Sequence, residues 1–138
     1  ADAEIDMARN KHAQAVSKLS RELESKPGNH PLTMAYATAL MKDSQSHIAE
    51  EVLRRQSKRT PNDPSLWYLL AEVQGLSGNI AGLHQSRAEY FILNGALDQA
   101  RKQLEYALKL TRGDFVTSAI LSQRLRDVAE MQEKLEEL

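Results

Sequence analysis

The sequence predicts an all-α fold, an α-solenoid of antiparallel helix pairs ending in a C-terminal capping helix, and three observations predict it. Apolar residues in every long segment recur with the helical period of about 3.6. Landmarks recur 34 residues apart: Pro27 with Pro61, Leu32 with Leu66, Ala15 with Ala49, Leu19 with Leu53, and the series Ala3, Ala37, Ala71. Breaker residues stand between the periodic segments, so helix ends are expected near Pro27, Ser44, Pro61, Gly78, Asn94 and Gly113. A repeat of that length is one helix pair, which cannot bury its apolar face alone and stacks on its neighbours. At 138 residues the chain reads as one domain, 1–138, with units at about 1–27, 28–61, 62–94 and 95–112 and a last helix at 114–136.

The chain starts without methionine, which suggests either a mature product or an excised fragment, and the residues before Met7 read as the tail of a helix whose beginning is missing, which supports the fragment. In the second unit, PLTMAYATALMKD aligns Leu32, Tyr36, Ala37 and Leu40, and HIAEEVLRRQSKR aligns Ile48, Ala49, Val52 and Leu53. The third unit opens with PNDPSLWYLLAEVQGLSGN, where Asp63 can cap free N–H groups, Pro64 suits the first helical position and Gly78-Asn79 can end the helix. Its Trp67 is expected to pack between helices, with a ligand-facing role as the alternative.

AGLHQSRAEYFILN has a double duty. Ala49 to Ala100 is one and a half repeats, so this helix must close the Trp67 pair and, through Ala88 and Phe91, open the next. NGALDQARKQLEYALKL follows with Ala100, Leu104, Ala107 and Leu108 in phase. The last segment, from the Gly113 stop and the Asp114 cap, shows Ile120, Leu121, Leu125 and Val128 as its apolar side and then turns polar, as a capping helix requires. The heptad spacing of Leu121, Val128 and Leu135 leaves a coiled-coil contact with another chain as the alternative.

Trp67, Leu70, Ala71 and Gly78, with the interval of 34, stand where the tetratricopeptide (TPR) family has its tryptophan, leucine, small residue and turn glycine, and the chain resembles that family up to about residue 110. The resemblance implies a right-handed TPR-like α-solenoid whose first helices line a concave groove for an extended peptide or a partner helix. Carried over by register, the protein-binding groove comprises Met34, Thr38, Met41 and Lys42 from one unit and Tyr68, Glu72 and Gly75 from the next. Thr38 and Glu72 stand where some units of the family clamp a terminal carboxylate with lysine and asparagine, so no such clamp is implied. Met and Tyr side chains suit adaptable, moderately apolar contacts; alternatively these residues only tile the inner surface.

Composition narrows the chemistry. A net charge of -1 with 27% charged residues offers no basic excess to a polyanion, so nucleic acid is not an expected partner. No apolar run is long enough to span a bilayer, and the first residues lack the pattern of a signal peptide. There is no cysteine, and none of the four histidines has a partner at i, i+4 or sits in a His-Glu-x-x-His stretch, so no catalytic or metal-ligating set is expected. His30 and His47 read as solvated or capping, the six glycines as turn residues, and Glu50-Glu51 and Glu136-Glu137 as solvated neighbours. The basic run Arg54–Arg59 falls at a helix C-terminus with Glu50 and Glu51 as i, i+4 partners, and reads as a solvated helix end, with a phosphate-binding patch as the alternative.

The stretch from Trp67 to about Leu110 is more specific. With Ala-Glu-Tyr at 88–90 and Gly-Ala-Leu-Asp-Gln-Ala at 95–100, it resembles the C-terminal repeat region of the BepA-type periplasmic M48 metalloproteases. That resemblance implies a periplasmic location and a role as protein-interaction domain, with partners among outer-membrane β-barrel proteins or their assembly machinery. It also implies a zinc protease and chaperone elsewhere in the polypeptide. The zinc motif is absent from this sequence, so no cofactor is expected in it and zinc only in a preceding domain. A stand-alone TPR scaffold with an unrelated partner is the alternative, and an independent enzyme the third reading, disfavoured because no reactive constellation is present.

Overall fold

The computed structural model describes residues 2–138, apart from the side chains of Asp2, Ala3 and Asp6. The repeat landmark at Ala3 therefore lies outside the described residues. Among those described there are seven helices and no strand: α1 (Asp2–Ser25), α2 (His30–Lys42), α3 (Ser46–Arg59), α4 (Pro64–Ser77), α5 (Ile80–Leu93), α6 (Leu97–Leu110) and α7 (Phe115–Glu136). Every interruption falls where a breaker residue predicts it. The fold is all-α, and within each of two compact units the helices pack in chain order, as in an α-solenoid.

Four helix starts have side-chain caps that satisfy N–H groups the helix itself leaves open. Asn29 accepts from Leu32 N at 3.0 Å, Asp63 from Ser65 N at 3.0 Å, Asn79 from Gly82 N at 3.0 Å and Asp114 from Thr117 N at 3.1 Å. Three helix ends share one left-handed turn: Gly78 and Gly95 at φ 82° and 76°, and Ser44 at φ 60°. In each, the next amide returns to a carbonyl of the last helical turn, Asn79 to Gln74, Ala96 to Phe91 and Gln45 to Leu40, at 2.8–2.9 Å.

The chain divides into two compact units, Ala1–Pro61 and Asn62–Leu138. In the first, α1 packs on α2 and α2 on α3. Ala37 and Ala49 are completely buried, as close approach of two helices demands, and Leu40 and Leu53 are buried with them. His30 ties the start of α2 to the end of α3, its Nδ1 lying 3.1 Å from Gln56 Nε2 and 3.2 Å from Thr60 Oγ1. The expected helix end before Met7 is corrected: α1 runs unbroken for 24 residues, because the sequence from Asp2 to Ser25 contains neither proline nor glycine.

In the second unit α5 packs on both α4 and α6, and α7 covers α6. Ala88, Leu97, Ala100, Leu104, Ala107, Leu121 and Val128 form its core cluster, with Phe91, Ile92, Leu108, Leu125 and Met131 against it. Gln74 and Ser86 hydrogen-bond in the interior at 2.6 Å, linking α4 to α5. The Arg124 guanidinium on α7 grips Glu89 of α5 with two bonds, Nε at 2.8 Å and a terminal nitrogen at 2.7 Å. Two expectations for α7 are corrected. Ile120 is exposed rather than inward, since Leu121, Leu125 and Val128 already define the buried stripe. The heptad residues Leu121 and Val128 are consumed by the unit's own core, leaving only Leu135 of that series exposed.

Candidate protein-binding cleft

Helix α4 begins at Pro64 with its cap in place, so its side-chain directions are fixed by the helical period. Leu66, Leu70 and Val73 go to the interior. The residues one step round, Trp67, Tyr68, Ala71, Glu72, Gly75 and Leu76, form a continuous face, which is one wall of a cleft of about 460 Å³. The facing wall is α5, through Leu83, Arg87, Tyr90 and Phe91, again at helical spacing.

The two helices approach closely at one end because α4 carries a glycine there: a Cβ on Gly75 would stand 3.1 Å from Leu83 Cδ1. At the other end the cleft is lined by aromatic rings. Tyr68 and Tyr90 lie tilted with centroids 5.6 Å apart, and Tyr90 meets Phe91 edge-on at 5.8 Å. Tyr68 and Leu76 are each 64% exposed, an unusual cost for large apolar side chains on one face unless something covers them. Glu72 and Arg87 are exposed on opposite walls, and no ion pair joins them among the described residues. The cleft is thus mostly apolar, with one acid and one base, a combination that accepts apolar side chains of a polypeptide and orients them by charge.

The expected groove residues separate by unit. Tyr68, Glu72 and Gly75 come together in this cleft. Met34, Thr38, Met41 and Lys42 share one face of α2 in the first unit. Of these, Met34, Thr38 and Met41 are half-buried, Lys42 is exposed, and the Thr38 hydroxyl donates to the Met34 carbonyl at 2.9 Å. Trp67 is half-buried on the wall between α4 and α5, compatible with the packing role expected of it, and its neighbour Leu66 is fully buried. The α5 wall was missed, although Leu83, Arg87, Tyr90 and Phe91 follow an i, i+4, i+7, i+8 pattern that could have disclosed it. Among the described residues no group of three or more His, Asp or Glu converges as metal ligands. No helix among them is long and apolar enough to cross a membrane.

No family model matches the chain. Curated relatives do. The chain is 32% identical over 97 residues to the Beta-barrel assembly-enhancing protease of Yersinia pestis, covering 70% of this chain and 20% of the relative. It is 28% identical over 133 residues to the protein of that name from Escherichia coli K12, covering 95% of this chain and 27% of the relative, and the Shigella flexneri protein gives the same figures. The chain therefore spans about a fifth to a quarter of the length of the curated relatives it matches.

Proposed function

We propose that this chain is a protein-interaction module of the TPR type, belonging to a longer periplasmic M48 zinc metalloprotease and chaperone that serves outer-membrane protein assembly and quality control. The module binds polypeptide and carries out no chemistry of its own; zinc and peptide hydrolysis belong to a separate domain. The observation that carries this reading is the α4–α5 cleft, whose exposed Tyr68 and Leu76 leave apolar surface uncovered beside Trp67 and Tyr90. Similarity to proteases named for assembly of β-barrels supports the choice of partner, an outer-membrane β-barrel protein or its assembly machinery. Met34, Thr38, Met41 and Lys42 contribute a second polypeptide-facing surface on α2.

The test replaces Tyr68 and Leu76 singly with glutamate, and Met34 and Met41 likewise, and measures capture of a urea-unfolded outer-membrane β-barrel protein after helicity has been checked by circular dichroism. A charge in the centre of a binding site costs at least about 2 kcal/mol, or about thirtyfold in affinity. Loss of that size with unchanged helicity is expected for Tyr68→Glu and Leu76→Glu. Undiminished capture by both would remove the cleft from the function.

A further inference from the structure

We propose that a second cleft, at the junction of α1, α2 and α3 in the first unit, is a carboxylate site that receives an acidic group of a polypeptide through Arg55 and Arg59. This rests on the reading of the chain as a polypeptide-binding module but uses a different surface. The cleft measures about 220 Å³, with Leu23 and Val52 as its apolar lining, Tyr36 and Gly28 beside them, and the two arginines one helical turn apart on α3.

The basic run from Arg54 to Arg59 splits in the structure. Arg54 is paired with Glu50 at 2.7 Å. Glu51, four residues before Arg55, makes no ion pair with it among the described residues, contrary to the i, i+4 pairing its spacing predicts. Arg59 has no carboxylate partner among them either, and no Asp or Glu lines the cleft. Of the uncharged polar groups there, the Thr33 hydroxyl donates to the Asn29 carbonyl at 2.7 Å, Gln56 Nε2 lies 3.1 Å from His30 Nδ1, and the Tyr36 hydroxyl stands in the lining as a further donor. The charged groups of the lining are the two arginines, so its charge is positive.

Arg59 lies against Gly28. Gly28, at φ 78°, has no Cβ, and the Arg59 guanidinium fills the room that a Cβ would claim. A guanidinium presents parallel N–H groups that match a carboxylate, and two of them one turn apart can take both its oxygens. The volume is below the range of about 300–1,000 Å³ usual for small-molecule pockets, which favours a single side chain or chain end as occupant. The apolar lining favours an acid with apolar neighbours on the same polypeptide.

The probe is a fluorescein-labelled peptide of repeated Glu-Leu-Gly, with a free or an amidated C-terminus, followed by anisotropy against the whole chain. Binding by both forms assigns the site to side-chain carboxylates, and binding by the free acid alone assigns it to a chain end; either supports the site if it depends on the arginines. The double variant Arg55→Gln/Arg59→Gln is expected to bind about tenfold or more weakly with unchanged helicity, and added salt to weaken the parent's binding. Arg55→Lys/Arg59→Lys, which keeps the charge but loses the forked geometry, falls between the two. Equal binding by parent and Gln variant overturns the proposal, as does equal binding of a Gln-Leu-Gly peptide with an amidated C-terminus, which carries no carboxylate. So does arginine-dependent binding of phosphatidylglycerol vesicles or inorganic phosphate without peptide binding. Tyr68→Glu must leave peptide binding intact; if it abolishes it, the acid sits in the other cleft and the site falls while the proposed function stands. If the parent captures no β-barrel protein yet binds the peptide through these arginines, the proposed function falls and the site stands.

Discussion

Leu66 and Trp67 are adjacent in sequence and opposite in fate: Leu66 is 0% exposed, whereas Trp67 lies half-buried on the cleft wall. Leu66→Ala should cost about 2–5 kcal/mol, because it removes buried methylenes and leaves a cavity. Trp67→Ala should cost less than that change, because part of the ring faces solvent already, and should weaken polypeptide capture instead. Urea unfolding of both variants ranks them, and a larger loss for Trp67→Ala would contradict the assignment. The sequence alone pointed at the tryptophan, the only one in the chain, because register against a repeat family weighs residue type; burial follows helical direction, and Leu66, Leu70 and Val73 share it. Gly82 poses the reverse case. It is buried where a Cβ would stand 2.5 Å from Asn79 Nδ2 and 2.6 Å from Gln74 Nε2, against the cap of α5 and the Gln74–Ser86 bond. Gly82→Ala should therefore destabilise by about 1–3 kcal/mol, as overpacking does, despite the better helix propensity of alanine.

At the scale of elements, the helix ends were the most legible feature, since prolines, glycines and capping residues act through backbone geometry that needs no tertiary context. Ser44 is the exception that tests this. It adopts the left-handed conformation that Gly78 and Gly95 take in the equivalent turns, at a cost of about 1–2 kcal/mol for an L-residue. Ser44→Gly should raise stability by about 1 kcal/mol, the relief of strain exceeding the added backbone entropy of the unfolded chain. A lower urea midpoint for the variant would refute it. Helix α7 was read less well, because spacing alone does not distinguish Ile120 from Leu121. Its first turn depends on Asp114, whose carboxyl is held below its ordinary value by the Thr117 hydroxyl at 2.6 Å and then by the Thr117 amide. Asp127 is lowered too, first by Gln123 and then by Arg124. Because these folded-state values lie below the unfolded value of 3.8, the carboxylates stabilise α7 fully above it, and the contribution disappears as pH falls through the folded values. Protection factors of the α7 amides, taken relative to the intrinsic exchange rate at each pH, should fall as acid is added below about pH 4. Asp114→Asn/Asp127→Asn, which retains a capping side chain, should flatten that dependence.

On the scale of the whole molecule, the interval of 34 made the order of helices readable from Pro27 to Gly78; it misled at α1, which runs unbroken, and beyond Gly78, where Ala49 to Ala100 is one and a half repeats, the breaker residues carried the order. The cleft was only half readable, because register carries one wall from the repeat while the other depends on how far apart two particular helices stand. The second unit has its own core cluster, an internal Gln74–Ser86 bond and the Arg124–Glu89 clasp between α5 and α7. Arg124 is held more firmly protonated than usual, chiefly by its bonds to Glu89, so the clasp persists at every pH at which Glu89 is ionised. With side chains only 31% and 16% exposed, the pair should contribute about 1–3 kcal/mol, as charged hydrogen bonds do, and a double-mutant cycle with Arg124→Met and Glu89→Gln should recover a coupling in that range. The same features argue that residues 62–138 can fold without what precedes them: each helix from α4 to α7 packs on the next, and the core cluster draws on three of the four. Expressed alone, this segment should show a helical circular dichroism spectrum, unfold in one cooperative step and keep the capture that depends on Tyr68 and Leu76. A gradual, non-cooperative melt would show that its core needs the first unit; a cooperative melt without capture would move the binding surface to α2.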